Sequence, residues 1–148
     1  MNKNLNKIEI KKILKIKDPF LMLDKVKIIS LNKKAEGFKV VKKNDWYFKC
    51  HFFNNEPVMP GTLIIESMLQ TTIANLYNKK KKIKKYLVIK SETNFYLKIT
   101  KPCTLRIKSK IISQRKGIII SEGSVYLKKK KISFGKFKFI DPEAFKIN

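Results

Sequence analysis

Two side chains in this sequence, one histidine and one glutamate, could together carry out acid–base chemistry. His51 is the single histidine of the chain, and an imidazole needs little perturbation to exchange a proton near neutral pH. Glu66 lies in an otherwise aliphatic stretch, where burial disfavours the charged carboxylate and raises its pKa. Because their environments separate their roles, the two groups can act as a base and an acid.

The segment between them predicts a turn that leads into a long buried helix. Pro60 and Gly61 stand where the helix begins, and proline suits the first turn because its missing N–H is not needed there. We predict that the helix extends to Asn78, since its apolar residues leave hardly any polar face, as in a helix buried on all sides. These residues are Leu63, Ile64, Ile65, Met68, Leu69, Ile73, Ala74, Leu76 and Tyr77.

This helix can supply two further groups. Gln70 lies one turn after Glu66 and can hydrogen-bond its carboxylate. At the helix N-terminus, Gly61 offers a free backbone N–H and the positive end of the helix dipole, which suits a carbonyl oxygen that acquires enolate charge. Residue types and spacing still leave a structural role open. A lone histidine beside a helix is more often structural, and a lone buried glutamate can simply complete a hydrogen-bond network.

The longer motif around these residues resembles a known family. Residues 50–70 contain His-Phe and then Pro-Val-Met-Pro-Gly-x-Leu-Ile-Ile-Glu-x-Met-x-Gln, similar to the signature of the 3-hydroxyacyl-[acyl-carrier-protein] dehydratases of fatty-acid synthesis. Residues 18–26 resemble another segment of that family, and residues 94–105 resemble it weakly. The resemblance implies the α+β "hot dog" fold, in which a curved antiparallel sheet wraps a long central helix.

In that family, two subunits pair their central helices and share their active sites. The resemblance implies that His51 Nε2 removes the proton on the carbon next to the thioester, while Glu66 of the other subunit protonates the departing 3-hydroxyl, directly or through water. The product is a trans-2-enoyl thioester. Val58, Gly61 and Gln70 are then positioning residues: the Val58 carbonyl holds the other ring nitrogen of His51, and the Gly61 N–H stabilises the thioester oxygen.

The resemblance also implies what surrounds the site. The acyl tail would lie in an apolar tunnel at the dimer interface, lined by Phe52, Met59, Leu63 and Met68. No metal or organic cofactor is implied. The expected partner is an acidic acyl carrier protein that delivers the substrate, and the homodimers could assemble further into a trimer of dimers. The glutamate at position 66 is similar to the residue that the general elongation enzyme of the family has at this point of the motif, whereas the related dehydratase-isomerase has aspartate there.

Two departures from the family pattern bear on the site. Residues 53–56 make the loop after His51 one residue longer than usual, and an error of about 1 Å in position can cost roughly a hundredfold in rate. Cys50 replaces the usual glycine before the histidine. Because neighbouring residues of a strand point to opposite faces, we expect no nucleophilic pair between Cys50 and His51.

The rest of the chain predicts a helix followed mostly by strands. A short amphipathic helix around Ile10 and Ile13 ends before Pro19, residues 44–46 form a turn, and the lysines of residues 79–85 complement the end of the central helix. Strands are predicted at residues 26–31, 37–41, 86–90, 93–99, 105–111, 118–127 and 132–140, with a turn at residues 114–117. We predict one hot-dog domain over residues 1–148.

Composition limits the other functions. Thirty-five basic against eleven acidic residues give a net charge of +24, which attracts polyanions without saying what chemistry follows. One histidine and two cysteines, Cys50 and Cys103, cannot form a zinc site within one subunit. The N-terminus has no continuous apolar stretch, so we expect no signal peptide, no membrane insertion and a cytoplasmic location.

Two alternatives stay open beside the dehydratase. One is a divergent hot-dog protein, either a thioesterase or a dehydratase of another carrier-bound pathway. The other is a non-catalytic basic module that binds nucleic acid or an anionic surface, supported by the charge and by Trp46, Tyr47 and Phe48. The charges are spread over every segment rather than clustered with stacking aromatics, so we expect no nucleic-acid partner.

Overall fold

A computed structural model describes residues 2–77 and 81–146. In chain order its elements are β1 (Lys3–Asn6), α1 (Lys7–Leu14), β2 (Lys25–Ser30), β3 (Lys34–Val41), α2 (Trp46–Cys50), α3 (Gly61–Leu76), β4 (Leu87–Phe95), β5 (Cys103–Arg115), β6 (Ile118–Leu127), β7 (Lys130–Ile140) and a final 3-10 turn (Pro142–Phe145). The strands form one antiparallel sheet in the order β1-β2-β3-β5-β6-β7-β4. No helix of this part of the chain is long and apolar enough to cross a membrane.

The helix α3 lies against the concave face of the sheet. It begins after Pro60, and most of its side chains are buried, including the polar Thr71 and Thr72. Their hydroxyls donate to the carbonyl groups of Ser67 and Met68 one turn earlier, which satisfies polar groups that would otherwise be costly to bury. The predicted central helix is therefore confirmed. It ends at Leu76 rather than Asn78, and Asn78 lies outside the described residues.

Close contact between α3 and the sheet depends on glycine. A Cβ atom built on Gly123 of β6 would lie 2.8 Å from Met68 Sδ, and one built on Gly37 of β3 would lie 2.4 Å from Thr71 Oγ1. Neither strand could carry a side chain there without moving the helix away. The helix thus packs closely against β3 and β6 of the sheet.

Strand β4 differs from its neighbours because its apolar side chains are not covered. It is the last strand of the sheet and pairs only with β7 among the described strands. Leu87, Val88 and Ile89 are 48%, 39% and 52% exposed. A long, apolar and unpaired strand edge favours pairing with another chain.

Several sequence predictions were wrong in detail. The four-residue strand β1 was not predicted, and α2 occupies part of the segment that was predicted to be a turn. One strand, β4, replaces the two predicted between residues 86 and 99. The basic run was predicted to complement the end of the central helix. Instead, Lys82 pairs with Glu143 and Lys84 pairs with Asp141, both at the final turn. Lys79 and Lys80 of that run lie outside the described residues.

Candidate active site

His51 is fixed from two sides at the end of α2. It caps this short helix, and its backbone N–H donates to the Tyr47 carbonyl at 2.9 Å. Its Nδ1 lies 2.7 Å from the carbonyl oxygen of Val58. Because a carbonyl oxygen only accepts hydrogen bonds, Nδ1 carries a proton, and in the neutral imidazole the free lone pair is therefore on Nε2. His51 thus has the tautomer that a base acting through Nε2 requires.

The expectation that Cys50 and His51 are neighbouring strand residues was wrong, since α2 is helical. Cys50 Sγ lies 3.5 Å from the Trp46 carbonyl oxygen and 3.8 Å from that of Tyr47. The thiol thus points back along its own helix, where such contacts with preceding carbonyl groups are common. The second thiol, Cys103, is partly buried, and burial raises its pKa.

The lengthened loop after His51 forms a tight turn that faces solvent. Phe52 has a positive φ of 57°, and its carbonyl accepts a hydrogen bond from the Asn55 N–H at 3.0 Å, as in a β-turn. Glu56 pairs with Lys98 across the loop, and the Lys98 ammonium group lowers the pKa of Glu56. The additional residue is therefore accommodated outside the site, and the contact between His51 and Val58 is made.

A cavity of about 380 Å³ opens in front of His51. Four predicted site residues line it together with the histidine, namely Phe52, Val58, Met59 and Gly61. Its other lining residues are Ile64, Phe95, Tyr96, Leu97 and Lys98.

Two predicted tunnel residues lie elsewhere. Leu63 and Met68 are 7% and 0% exposed and pack in the hydrophobic core, and neither lines the described cavity in front of His51. In one chain, this differs from the tunnel that the family resemblance implied. Met68 faces the sheet, since a Cβ atom built on Gly123 of β6 would lie 2.8 Å from its Sδ, and Leu63 is likewise part of the core cluster.

The N-terminus of α3 provides hydrogen-bond donors beside this cavity. The Leu63 and Ile64 N–H groups both donate to the Pro60 carbonyl. Among the described residues, the Gly61 and Thr62 N–H groups have no backbone or side-chain acceptor. Free N–H groups at the positive end of a helix dipole are suited to bind an oxygen that carries negative charge.

Glu66 is half-buried and is held by Gln70, as its spacing predicted. Gln70 Nε2 donates to Glu66 Oε1 at 3.0 Å and to the Phe20 carbonyl at 3.0 Å, while Gln70 Oε1 accepts from the Met22 N–H at 2.8 Å. Burial raises the pKa of Glu66, and the hydrogen bond from Gln70 opposes part of that rise. Such a carboxyl group keeps its proton to higher pH than a free glutamate and can serve as an acid.

Within one chain, Glu66 does not share the cavity of His51. It lines a second cavity of about 340 Å³ with Leu69, Ile73 and Tyr86. The helix explains this separation, since successive residues are rotated by about 100° and Glu66 is five residues beyond Gly61. Ile64, three residues after Gly61, lines the cavity of His51 instead. His51 and Glu66 of one chain therefore face different openings.

The aromatic residues that could have supported nucleic-acid binding are mostly unavailable. Tyr47 and Phe48 are 1% and 8% exposed, and their rings pack edge to face. Burial raises the pKa of Tyr47, whose hydroxyl donates to Asp45. Only Trp46 of the three is substantially exposed, at 42%. Tyr47 and Phe48 therefore anchor α2 in the hydrophobic core and do not form a stacking surface.

Two features of the site were missed by sequence reasoning. Phe95 lines the His51 cavity although it is 34 residues from Gly61 in the chain, and the weak family resemblance of residues 94–105 was its only signal. The contacts of Gln70 with the backbone at Phe20 and Met22 join positions about 50 residues apart. No local periodicity reports such contacts.

Comparison with known proteins gives the family. A sequence profile described as a FabA-like domain matches residues 15–136. The chain belongs to the FabA-like family. It is 32% identical over 135 residues to the 3-hydroxyacyl-[acyl-carrier-protein] dehydratase FabZ of Clostridium kluyveri, covering 89% of this chain and 92% of that protein. It is 33% identical to the enzyme of the same name from Alkaliphilus metalliredigens, covering 83% and 84% of the two chains.

Solved structures support the fold of this FabA-like chain. The dehydratase heterocomplex ApeI:P from Xenorhabdus doucetiae superposes with a TM-score of 0.74 over 90% of each chain, at 16% sequence identity. The predicted hot-dog fold and the predicted family are therefore both confirmed.

Proposed function

We propose that this protein is a dehydratase that removes water from 3-hydroxyacyl thioesters to give trans-2-enoyl thioesters. The observation that carries the proposal is the 2.7 Å contact between His51 Nδ1 and the Val58 carbonyl, beside the free N–H groups of α3. It leaves Nε2 as a base within the same cavity as an oxygen-binding site. The relatives named as dehydratases support the same reaction.

The reaction is a proton removal coupled to loss of hydroxide. His51 Nε2 takes a proton from C2 of the substrate, and the electron pair moves towards the thioester oxygen, where the Gly61 N–H stabilises the negative charge. A C2–C3 double bond forms as the C3–O bond breaks, and the protonated Glu66 gives its proton to the departing oxygen. Water then leaves. His51 has gained a proton and Glu66 has lost one, so His51 must lose its proton and Glu66 must gain one before the next turnover.

The environment of Glu66 supports its role as the acid. Burial raises its pKa, so a larger fraction of the carboxyl group is protonated near neutral pH than in a free glutamate. Gln70 fixes the orientation of the carboxyl group by donating to Oε1. The other oxygen is then available to face a substrate hydroxyl.

We infer that the active site is shared between two copies of the chain. Glu66 and His51 of one chain line different cavities, so an acid from a second chain is needed to complete the site around His51. The uncovered strand β4 supports a homodimer, since its apolar residues and its free edge suit pairing with a second copy. Assembly into a trimer of dimers and a cytoplasmic location remain predictions.

The expected substrate carrier is an acidic acyl carrier protein. The net charge of +24 supports this partner, because opposite charges speed the encounter of two proteins. The names of the relatives describe carrier-linked substrates for those proteins. No cofactor is required by the steps above, which use only side chains and backbone groups of this chain.

The direct test is to incubate the purified protein with 3-hydroxybutyryl and crotonyl thioesters of an acyl carrier protein. We expect the absorbance of the enoyl thioester to rise with the first substrate and to fall with the second, as the same equilibrium is approached from both sides. A release of free thiol without any change in enoyl absorbance would instead identify a thioesterase. If neither the enoyl absorbance nor the concentration of free thiol changed, the protein would be neither a dehydratase nor a thioesterase for these substrates.

A further inference from the structure

The ring of Phe95 lies directly against the first residue of α3. A Cβ atom built on Gly61 would be 2.9 Å from Phe95 Cζ and 3.1 Å from Cε1. These distances are shorter than van der Waals contact, so the ring occupies the space that any side chain at position 61 would need. Glycine at this position therefore allows the aromatic ring to reach the helix N-terminus.

The backbone around Phe95 is held firmly, whereas its side chain is not enclosed. Ser133 Oγ donates to the Asn94 carbonyl at 2.9 Å, and the Tyr96 N–H donates to the Ile132 carbonyl at 2.8 Å. The Phe95 residue is nevertheless 47% exposed. The backbone hydrogen bonds thus fix the position of this residue at the end of β4, while its ring lies outside the core.

The ring shares the cavity with both groups that act on the thioester. Phe95, His51 and Gly61 all line the cavity of about 380 Å³. A substrate whose C2 carbon approaches His51 while its oxygen binds the Gly61 N–H must fit its neighbouring carbons into the remaining volume. A bulky ring in so small a cavity limits that volume directly, because cavity walls discriminate by steric fit.

We propose that Phe95 is a specificity-determining residue that limits the length of the acyl group the site accepts. The proposal rests on the proposed dehydratase function. It predicts that the side chain at position 95 changes the preference among substrates more than it changes the reaction of the shortest one. A purely structural role would lower the rates of all substrates together.

The test compares four-carbon and ten-carbon 3-hydroxyacyl thioesters of N-acetylcysteamine with the wild type, Phe95→Ala and Phe95→Leu. We expect the ratio of kcat/KM for the long over the short substrate to rise by roughly tenfold or more in Phe95→Ala, since one methylene in an apolar pocket already discriminates by about that factor. Phe95→Leu should give an intermediate ratio. Phe53→Ala is the matched control, because Phe53 is exposed and does not line the cavity.

The outcomes separate the two proposals. A wild type that dehydrates neither these thioesters nor the corresponding acyl-carrier-protein thioesters contradicts the proposed function itself. A wild type that is active, together with unchanged ratios in both Phe95 variants, overturns the assignment of Phe95. Sedimentation velocity verifies that each variant keeps the oligomeric state of the wild type. If Phe95→Ala does not fold, the ratio measured for Phe95→Leu decides the question.

Discussion

The carbonyl oxygen of Val58 and Nδ1 of His51 lie 2.7 Å apart, and this contact connects the end of α2 to the turn that begins α3. It determines which ring nitrogen carries the proton, and it holds the imidazole plane towards the cavity. The contact survives a loop with one more residue than the family pattern. The chemistry proposed for His51 depends on it.

Replacement of this histidine should remove the base without disturbing the fold. We expect His51→Ala to lower kcat by between roughly a hundredfold and ten-thousandfold, which is the usual contribution of a positioned general base. The measurement is the initial rate of enoyl thioester formation, with circular dichroism to verify folding. Phe53→Ala, two residues away on the exposed turn, should keep the wild-type rate. A His51→Ala protein of wild-type activity would rule out this mechanism.

A second prediction concerns Glu66, which should be needed for turnover but should reduce stability at high pH. Because burial raises its pKa, the folded state binds this proton more tightly than the unfolded chain does. The resulting stability is fully present below the unfolded pKa and is lost as pH rises through the folded pKa. Glu66→Gln should therefore abolish activity, and its free energy of unfolding should exceed that of the wild type increasingly as pH rises through this window.

Urea unfolding at several pH values measures this difference, and Glu56→Gln is a control of opposite sign. The Lys98 ammonium group lowers the pKa of Glu56, so the stability from that pair is present above the unfolded pKa and is lost as pH falls through the folded pKa. Removing it should lower stability at neutral pH by a small amount, as expected for an exposed ion pair. A Glu66→Gln protein that is no more stable than the wild type at high pH would contradict the assigned burial.

The proposed sharing of active sites between two chains predicts that two inactive variants complement each other. In a heterodimer of His51→Ala and Glu66→Gln chains, one site contains an intact His51 and an intact Glu66, whereas the other contains neither. Random exchange makes half of the dimers mixed, so about a quarter of the wild-type activity should return. Activity is measured after subunit exchange, and exchange itself is followed with differently labelled chains. Complete exchange without any recovery would show that each site belongs to one chain.

The parts of this site that sequence predicted are those with local causes. The hydrogen bond between Gln70 and Glu66 follows from their four-residue separation on a helix, and the start of α3 follows from Pro60 and Gly61. The place of Phe95 could not be predicted in this way, because a contact with Gly61 depends on how β4 pairs with β7.

Short elements were missed for a related reason. Strand β1 has a single apolar residue, Leu5, among four, and helix α2 has only five residues, too few to show a period of 2.0 or 3.6. Both are held by tertiary contacts: β1 pairs with β2, and Tyr47 of α2 is buried in the core. Local sequence cannot report an element whose stability comes from distant partners.

If an acidic carrier protein is attracted by charge, the KM of a carrier-linked substrate should depend on salt more strongly than the KM of a small thioester. With a net charge of +24, the protein should show a KM for an acyl-carrier-linked substrate that rises steeply with salt, because screening weakens the attraction. The KM for the same acyl group on N-acetylcysteamine should change little, since this thioester is uncharged. Steady-state rates at several salt concentrations test the comparison. Equal salt dependence of both substrates would argue against an acidic carrier as the partner.

The last prediction concerns Gln70, which links the Glu66 carboxyl group to the backbone of another segment. Its amide is fully buried and bridges Glu66, the Phe20 carbonyl and the Met22 N–H. Gln70→Leu leaves the buried Met22 N–H without an acceptor, which costs about 1–3 kcal/mol.

Glu66 should respond to the same change through its pKa. The hydrogen bond from Gln70 lowers that pKa, so its loss should raise the pKa further and move the Glu66-dependent limb of the pH–rate profile to higher pH. The control is Gln114→Leu on the exposed end of β5. It should change the free energy of unfolding by no more than about 0.5 kcal/mol and should leave the pH–rate profile unchanged. A Gln70→Leu protein that loses stability but keeps the wild-type pH profile would limit Gln70 to a structural role.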